Sequence, residues 1–187
     1  MYLYCANNPI NNVDPTGKSV LIGVVLGITA LIFSGATASQ VAINATQTNN
    51  AQNMLLAGIT GCSPSSSTLD SLANKVKNSS TLKNKVTEEI AKVNDNKINY
   101  IGTIDFDRYN GDMDLYLSIQ HADIKMDGIK NGEGHWDIDV TIWDSYNFDE
   151  LRDDFSFGSV ANNFGLILQS IGVLKPYEWS INFKYKY

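Results

Sequence analysis

Acidic and basic side chains are nearly missing from the first third of this 187-residue sequence, where Asp14 and Lys18 stand alone in residues 1–69. Histidine occurs only at 121 and 135, and cysteine only at 5 and 62. Cys5 and Cys62 form neither a Cys-x-x-Cys pair nor a closely spaced framework, which excludes a zinc ribbon and a disulfide scaffold and leaves a single Cys5–Cys62 bridge open. Glycine-rich phosphate loops, serine nucleophile elbows and zinc-type spacings are absent as well. No basic groove is legible either: residues 99–154 hold fourteen acids against four bases, a local −10 within an overall charge of −6. A surface this acidic repels phosphate backbones, so nucleic acid is disfavoured as a partner and a nuclease would need a metal or a local basic groove.

What is present begins with hydrophobicity. At 43% hydrophobic residues the chain has enough apolar material for a packed core in one or two domains. No charged residue occurs from Ser19 to Leu69, and "SVLIGVVLGITALIFSGATA" matches the roughly 20 apolar residues that cross a bilayer. Gly23 and Gly27 add the Gly-x-x-x-Gly spacing of closely approaching membrane helices. Residues 19–38 therefore read either as a membrane-inserting segment or, because Thr29, Ser34 and the glycines dilute the run, as a buried glycine-rich hairpin or helix. A signal peptide is a poor fit, since a polar turn-rich stretch precedes the run and only Lys18 supplies a positive flank. Residues 39–68 read as a helix fading into a linker that ends at Pro64 and a serine run, which places a domain start near residue 65.

Beyond that boundary the period is helical. Ser67-x-x-Asp70 resembles a capping box, and Leu69, Leu72, Ala73 and Val76 share one face. After Asn78-Ser79-Ser80, Leu82, Val86, Ile90 and Val93 continue the pattern, so two short amphipathic helices are expected. From Asn99 the period changes to two. Ile104 and Phe106 alternate with Asp105 and Asp107; Met113, Leu115, Leu117 and Ile119 alternate after an Asn110-Gly111 turn; a second Asn-Gly at 131–132 joins two further runs. A helix capped by Ser159 and ended by Gly172 is expected next, then a strand in which Tyr177, Trp179, Ile181, Phe183, Tyr185 and Tyr187 alternate with polar residues. The expected class is α+β: an antiparallel meander of four strands followed by a helix and a final strand. The Asp-x-Asp pairs at 105/107, 112/114 and 137/139 fall on the wet face of such strands and read as solvated charge.

The first 17 residues carry a resemblance. "YLYCANNPINNVDPTG" contains two turns and too little apolar material for a core of its own. Its Tyr2, Tyr4, Asn7, Asn8, Pro9, Asp14, Pro15 and Gly17 resemble, in order, the end of the Rhs/YD-repeat core. In that family the motif marks where a shared β-shell ends and a variable C-terminal toxin begins. The resemblance implies three parts: the end of the shell at 1–17, an apolar segment and linker at 18–64, and a toxin domain at 65–187. It also implies secretion or delivery into a target bacterium, enclosure by the Rhs shell, and a cognate immunity protein as partner.

Strand parity singles out one acid. Trp136, Ile138, Val140 and Ile142 share a face, and Asp144, Tyr146 and Phe148 continue it. A carboxylate on a core face must be hydrogen-bonded, paired or reactive. The ordinary alternative is that the strand ends near Trp143 and Asp144 caps a turn. Asp144-Ser145-Tyr146-Asn147 also resembles the Asp-x-Tyr-Asp motif of colicin M-like toxins, which cleave the lipid carrier of cell-wall precursors. Asn147 departs from the motif, and no histidine precedes Arg152 where that family has His-Arg. The resemblance implies a hydrolase in which Asp144 holds a divalent metal or orients water, Tyr146 positions it and Arg152 neutralises phosphate oxygens. His121, on the parity of Ile119 and so a candidate core histidine, or His135 would supply the proton. The cofactor is thus unknown, a divalent metal being the candidate. The competing readings are a non-enzymatic membrane-active toxin using residues 19–38 and a nuclease-class toxin.

Overall fold

The computed structural model describes residues 49–107, 112–148 and 157–187, without the side chains of 157–162 and 164. Residues 1–17, the apolar run 19–38, the Asn110-Gly111 turn and Arg152 lie outside the described residues. The chain divides into two compact units, Met1–Thr46 with Phe148–Leu174, and Gln47–Asn147 with Lys175–Tyr187.

The second unit opens with helices α1 (Asn49–Thr60), α2 (Ser66–Lys77) and α3 (Ser80–Lys92). Because this unit starts at Gln47, α1 belongs with the sheet, with Met54 fully buried, and not to a linker preceding residue 65. Helix α2 starts at Ser65, whose side chain accepts the Thr68 N–H at 3.2 Å, so the cap is two residues ahead of the expected Ser67. Ser79 caps α3 in the same way through Leu82 N–H. The predicted faces are the buried ones: Leu72, Val76, Leu82 and Val86 are at 0% exposure, with Leu69, Ala73, Ile90 and Val93 packed around them.

Strands β1 (Lys97–Asp105), β2 (His121–Lys130), β3 (Trp136–Tyr146) and β4 (Tyr177–Lys186) form an antiparallel sheet in the order β1-β2-β3-β4. The fold is therefore α+β, as expected. One expected strand is a helix: Met113–Ser118 forms α4, with Asp112 as its N-cap accepting the Asp114 N–H at 2.8 Å. The residues it buries are Asp114, Leu115, Ser118 and Ile119, a helical spacing that the alternation of Met113, Leu115, Leu117 and Ile119 conceals. The β2–β3 hairpin forms at the second Asn-Gly, but its left-handed residue is Gly134 (φ 90°) and not Gly132. Asn131 organises that turn, its Oδ1 accepting the N–H groups of Glu133 and His135.

Register lines the core face into cross-strand rows. Ile98–Gly128–Ile138–Tyr185, Tyr100–Met126–Val140–Phe183 and Gly102–Ile124–Ile142–Ile181 are apolar across the four strands. Helix α3 covers this layer at β1 and α2 covers it at β4, while α1 packs on α4 and α2. The opposite face carries alternating acids and lysines, together with Ile101 and Ile129 at 67% and 60% exposure.

Of the first unit, α5 (Phe157–Ser170) is the described helix. Ser159 lies inside it and not at its cap, while Gly172 (φ 74°) does end it, donating to Gln169 O at 3.0 Å. Gln169 clamps the Phe148 backbone by accepting its N–H (3.1 Å) and donating to its carbonyl (3.3 Å).

Candidate functional site

The fourth row of the core face is where chemistry enters. It contains Ile104 and Ala122 on β1 and β2, then Asp144 paired with Trp179 on β4. Asp144 stands where the other rows place an aliphatic side chain. The strand runs on to Tyr146, so the parity reading holds and the turn-capping alternative does not. Its carboxyl is half-buried, and Oδ1 accepts the adjacent Ser145 N–H at 2.7 Å. Desolvation raises the Asp144 pKa above the usual carboxylate range; the Ser145 bond and the charge of His121 pull it down, and the carboxylates of Asp123 and Glu178 push it further up.

Tyr146, two residues on and on the same face, stacks on Tyr177 with ring centroids 5.1 Å apart and planes at 14°. Burial pushes both phenols above their ordinary range, so both rings are neutral at physiological pH. The Tyr177 hydroxyl donates to Met54 O at 2.7 Å, which ties the stacked pair to α1.

His121 is not a core histidine. Gln120 adopts a left-handed φ of 54°, which resets the alternation after Ile119 and turns the imidazole to the open face. There its side chain is 61% exposed and its Nδ1 lies 2.5 Å from Oδ1 of Asp105. The fold thus brings Asp144 and Tyr146 together, lets the charge of His121 reach Asp144, and keeps the imidazole on the opposite side of the sheet. His135 is an exposed turn residue. Among the described residues no three His, Cys, Asp or Glu side chains converge to hold a metal ion, so Asp144 has no set of co-ligands there. A divalent ion at Asp144 does not fit these residues, and no step is assigned to one.

Comparison with family models, curated proteins and solved structures returns no match. The residues themselves carry the reading.

A second polar cluster escaped the sequence reading. Asp114, 1% exposed, accepts from Asn50 Nδ2 (2.9 Å), Ala51 N (2.8 Å) and Lys75 Nζ (2.8 Å), and Lys75 also reaches Asp112 at 2.9 Å. Desolvation acts against the Lys75 charge, but its bonds to Asp114 and Asp112 outweigh it and raise the pKa. The carboxylate meets the open N–H groups at the start of α1, where the helix dipole favours negative charge. The signal for it was Asp112 as a helix N-cap; nothing local pointed to Asn50 or Lys75. Every donor around Asp114 is satisfied by the fold, so this cluster is an anchor for α1, whereas Asp144 keeps a carboxyl whose desolvation is met by one neighbouring N–H.

Proposed function

We propose that this chain carries the C-terminal effector domain of an Rhs/YD-repeat toxin, acting in the envelope of a target bacterium as a hydrolase of a lipid-linked cell-wall precursor. The observation that carries the reading is Asp144: a half-desolvated carboxyl with a raised pKa, held on a rigid strand in a row that would otherwise be apolar. A carboxyl held neutral can donate a proton to a departing phosphate oxygen, and in that form it does not repel the diphosphate. Tyr146 and Tyr177 would wall the site as neutral, stacked rings. Arg152 remains the candidate for phosphate neutralisation from outside the described residues. The sequence boundary at 1–17 supplies the context, including the shell and a cognate immunity protein.

Among the described residues no helix is long and apolar enough to cross a membrane, so any insertion would rest on residues 19–38. Expression of the full chain with and without an export signal, beside a version starting at Gln47, separates the readings. Killing only on export, lost in Asp144→Asn, is the expected outcome. Killing that requires residues 19–38 would mark a membrane-active toxin, and killing from the cytoplasm a nuclease-class one. An exported Asp144→Asn chain with full toxicity would remove Asp144 from the site.

A further inference from the structure

An open groove of roughly 440 Å³ lies beside β4 and the loop between α1 and α2. Pro64, Leu69, Trp143 and Trp179 form its apolar lining, and Glu178 and two serines its polar one. Asp144 is not among the lining residues, so the groove is separate from the acid–base reading above and does not depend on it. Its volume is within the range of small-ligand sites, and two indoles with a few placed polar groups are the usual composition of such sites.

Charge decides what kind of ligand suits it. Glu178 is the sole ionisable residue in the lining. On the open face of the sheet, Trp143 is paired with Asp123 on one side and with Ser180 on the other, and Glu178 is the diagonal neighbour on β4. One indole is thus bracketed by two carboxylates. The nearest lysine on that face, Lys125, sits opposite Thr141 and is held by Asp127 at 2.6 Å. Asp123 and Glu178 both act on Asp144 from across the sheet, which indicates a shared negative field at this end of the molecule.

A phosphate or carboxylate entering here would meet the negative faces of indole rings and two acids. A neutral sugar would find stacking surface but make no use of the charge. An organic cation gains from both, because the ring quadrupole and the carboxylates attract it together while its carbon stem lies along Leu69 and Pro64. We infer that this groove binds an organic cation, a guanidinium or alkylammonium group on an apolar stem, between Trp143 and Glu178. A planar guanidinium suits it best, since it stacks on an indole and offers forked donors to a flanking carboxylate.

The chain has three tryptophans, and Trp136 at the far end of β3 is an internal control. The full ¹⁵N-labelled chain is titrated at low ionic strength with N-acetyl-arginine amide and with choline, and at matched ionic strength with sodium phosphate and with glucose, reading the three indole N–H resonances. Saturable shifts of Trp143 and Trp179 with the cations, and a fixed Trp136, are expected. Glu178→Gln, with an unchanged circular dichroism spectrum, should weaken binding by about fivefold, the factor appropriate to one partly exposed charge contact. Tighter binding of the arginine probe would identify a protein side chain as the source of the cation, and tighter binding of choline a small quaternary amine; either supports the site. Equal shifts with phosphate or glucose, linear drift of all three resonances, or undiminished affinity in Glu178→Gln would overturn it.

Discussion

Asp114→Ala tests the polar cluster most directly. The substitution removes a carboxylate that is 1% exposed and strips an acceptor from Asn50 Nδ2, Ala51 N and Lys75 Nζ. Lys75 keeps Asp112 at 2.9 Å and its side chain is 30% exposed, so it stays charged and partly hydrated. The main losses fall on Asn50, 3% exposed, and on the Ala51 N–H at the start of α1. An orphaned buried donor costs about 1–3 kcal/mol, and breaking a buried ion pair by removing one partner about 3–5 kcal/mol, so a destabilisation of about 3–5 kcal/mol is expected. Asp114→Asn keeps an acceptor for one donor and should cost about half as much. Urea unfolding of the full chain followed by tryptophan fluorescence gives the free energy, and hydrogen exchange at the Ala51 amide shows whether α1 is released. A cost below about 1 kcal/mol, with Ala51 protection unchanged, would mean that the carboxylate contributes no net stabilisation and that packing alone holds α1.

The pH dependence of Asp144 has a definite sign. A carboxyl with a raised folded-state pKa binds more protons in the native chain than in the unfolded one, so its contribution to stability falls as pH rises from the unfolded pKa through the folded one. Asp144→Asn should therefore gain most over the wild type at neutral pH and nothing in acid; urea midpoints at pH 3.5 to 7 that run parallel, or diverge the other way, would contradict the assignment. Gln120 holds a left-handed φ of 54° at the exit of α4, a conformation in which a side chain costs about 1 kcal/mol, so Gln120→Gly should stabilise by about 0.5–1 kcal/mol. Destabilisation on thermal unfolding would show that the side chain makes a compensating contact. Asn131→Ala removes the acceptor shared by two turn N–H groups and should cost about 1 kcal/mol, with the β2–β3 turn amides exchanging faster by NMR.

Elements whose partners are close in sequence were legible. The buried faces of α2 and α3 follow from apolar residues three and four apart, and the side of β3 on which Asp144 lies follows from an alternation that backbone geometry enforces along an unbroken strand. Helix α4 was not legible, because half of its buried face is polar: Asp114 and Ser118 count as surface residues until Asn50 and Lys75, 64 and 39 residues away, are brought to them. The same limit applied to His121. Its predicted side depended on the parity of Ile119, and a single left-handed residue between them reversed it. The Trp143 groove required the pairing of β3 with both neighbours, which no local pattern contains.

Asp114 and Asp144 lie in one compact unit in opposite circumstances, and the contrast bears on where activity should be sought. The first is surrounded by three donors, one of them a lysine, and its charge is part of the fold. The second has only the N–H of its own neighbour, and desolvation pushes its proton affinity up. A side chain that costs stability in a row otherwise suited to an aliphatic residue is a sign that something other than packing uses it. Asp144→Leu completes the row beside Ile142 and Trp179 and should stabilise the chain by about 1 kcal/mol through partial burial of its side chain, while abolishing toxicity on export. If the leucine variant instead loses stability, Asp144 is holding the end of the sheet together, and its environment has a structural cause and not a chemical one.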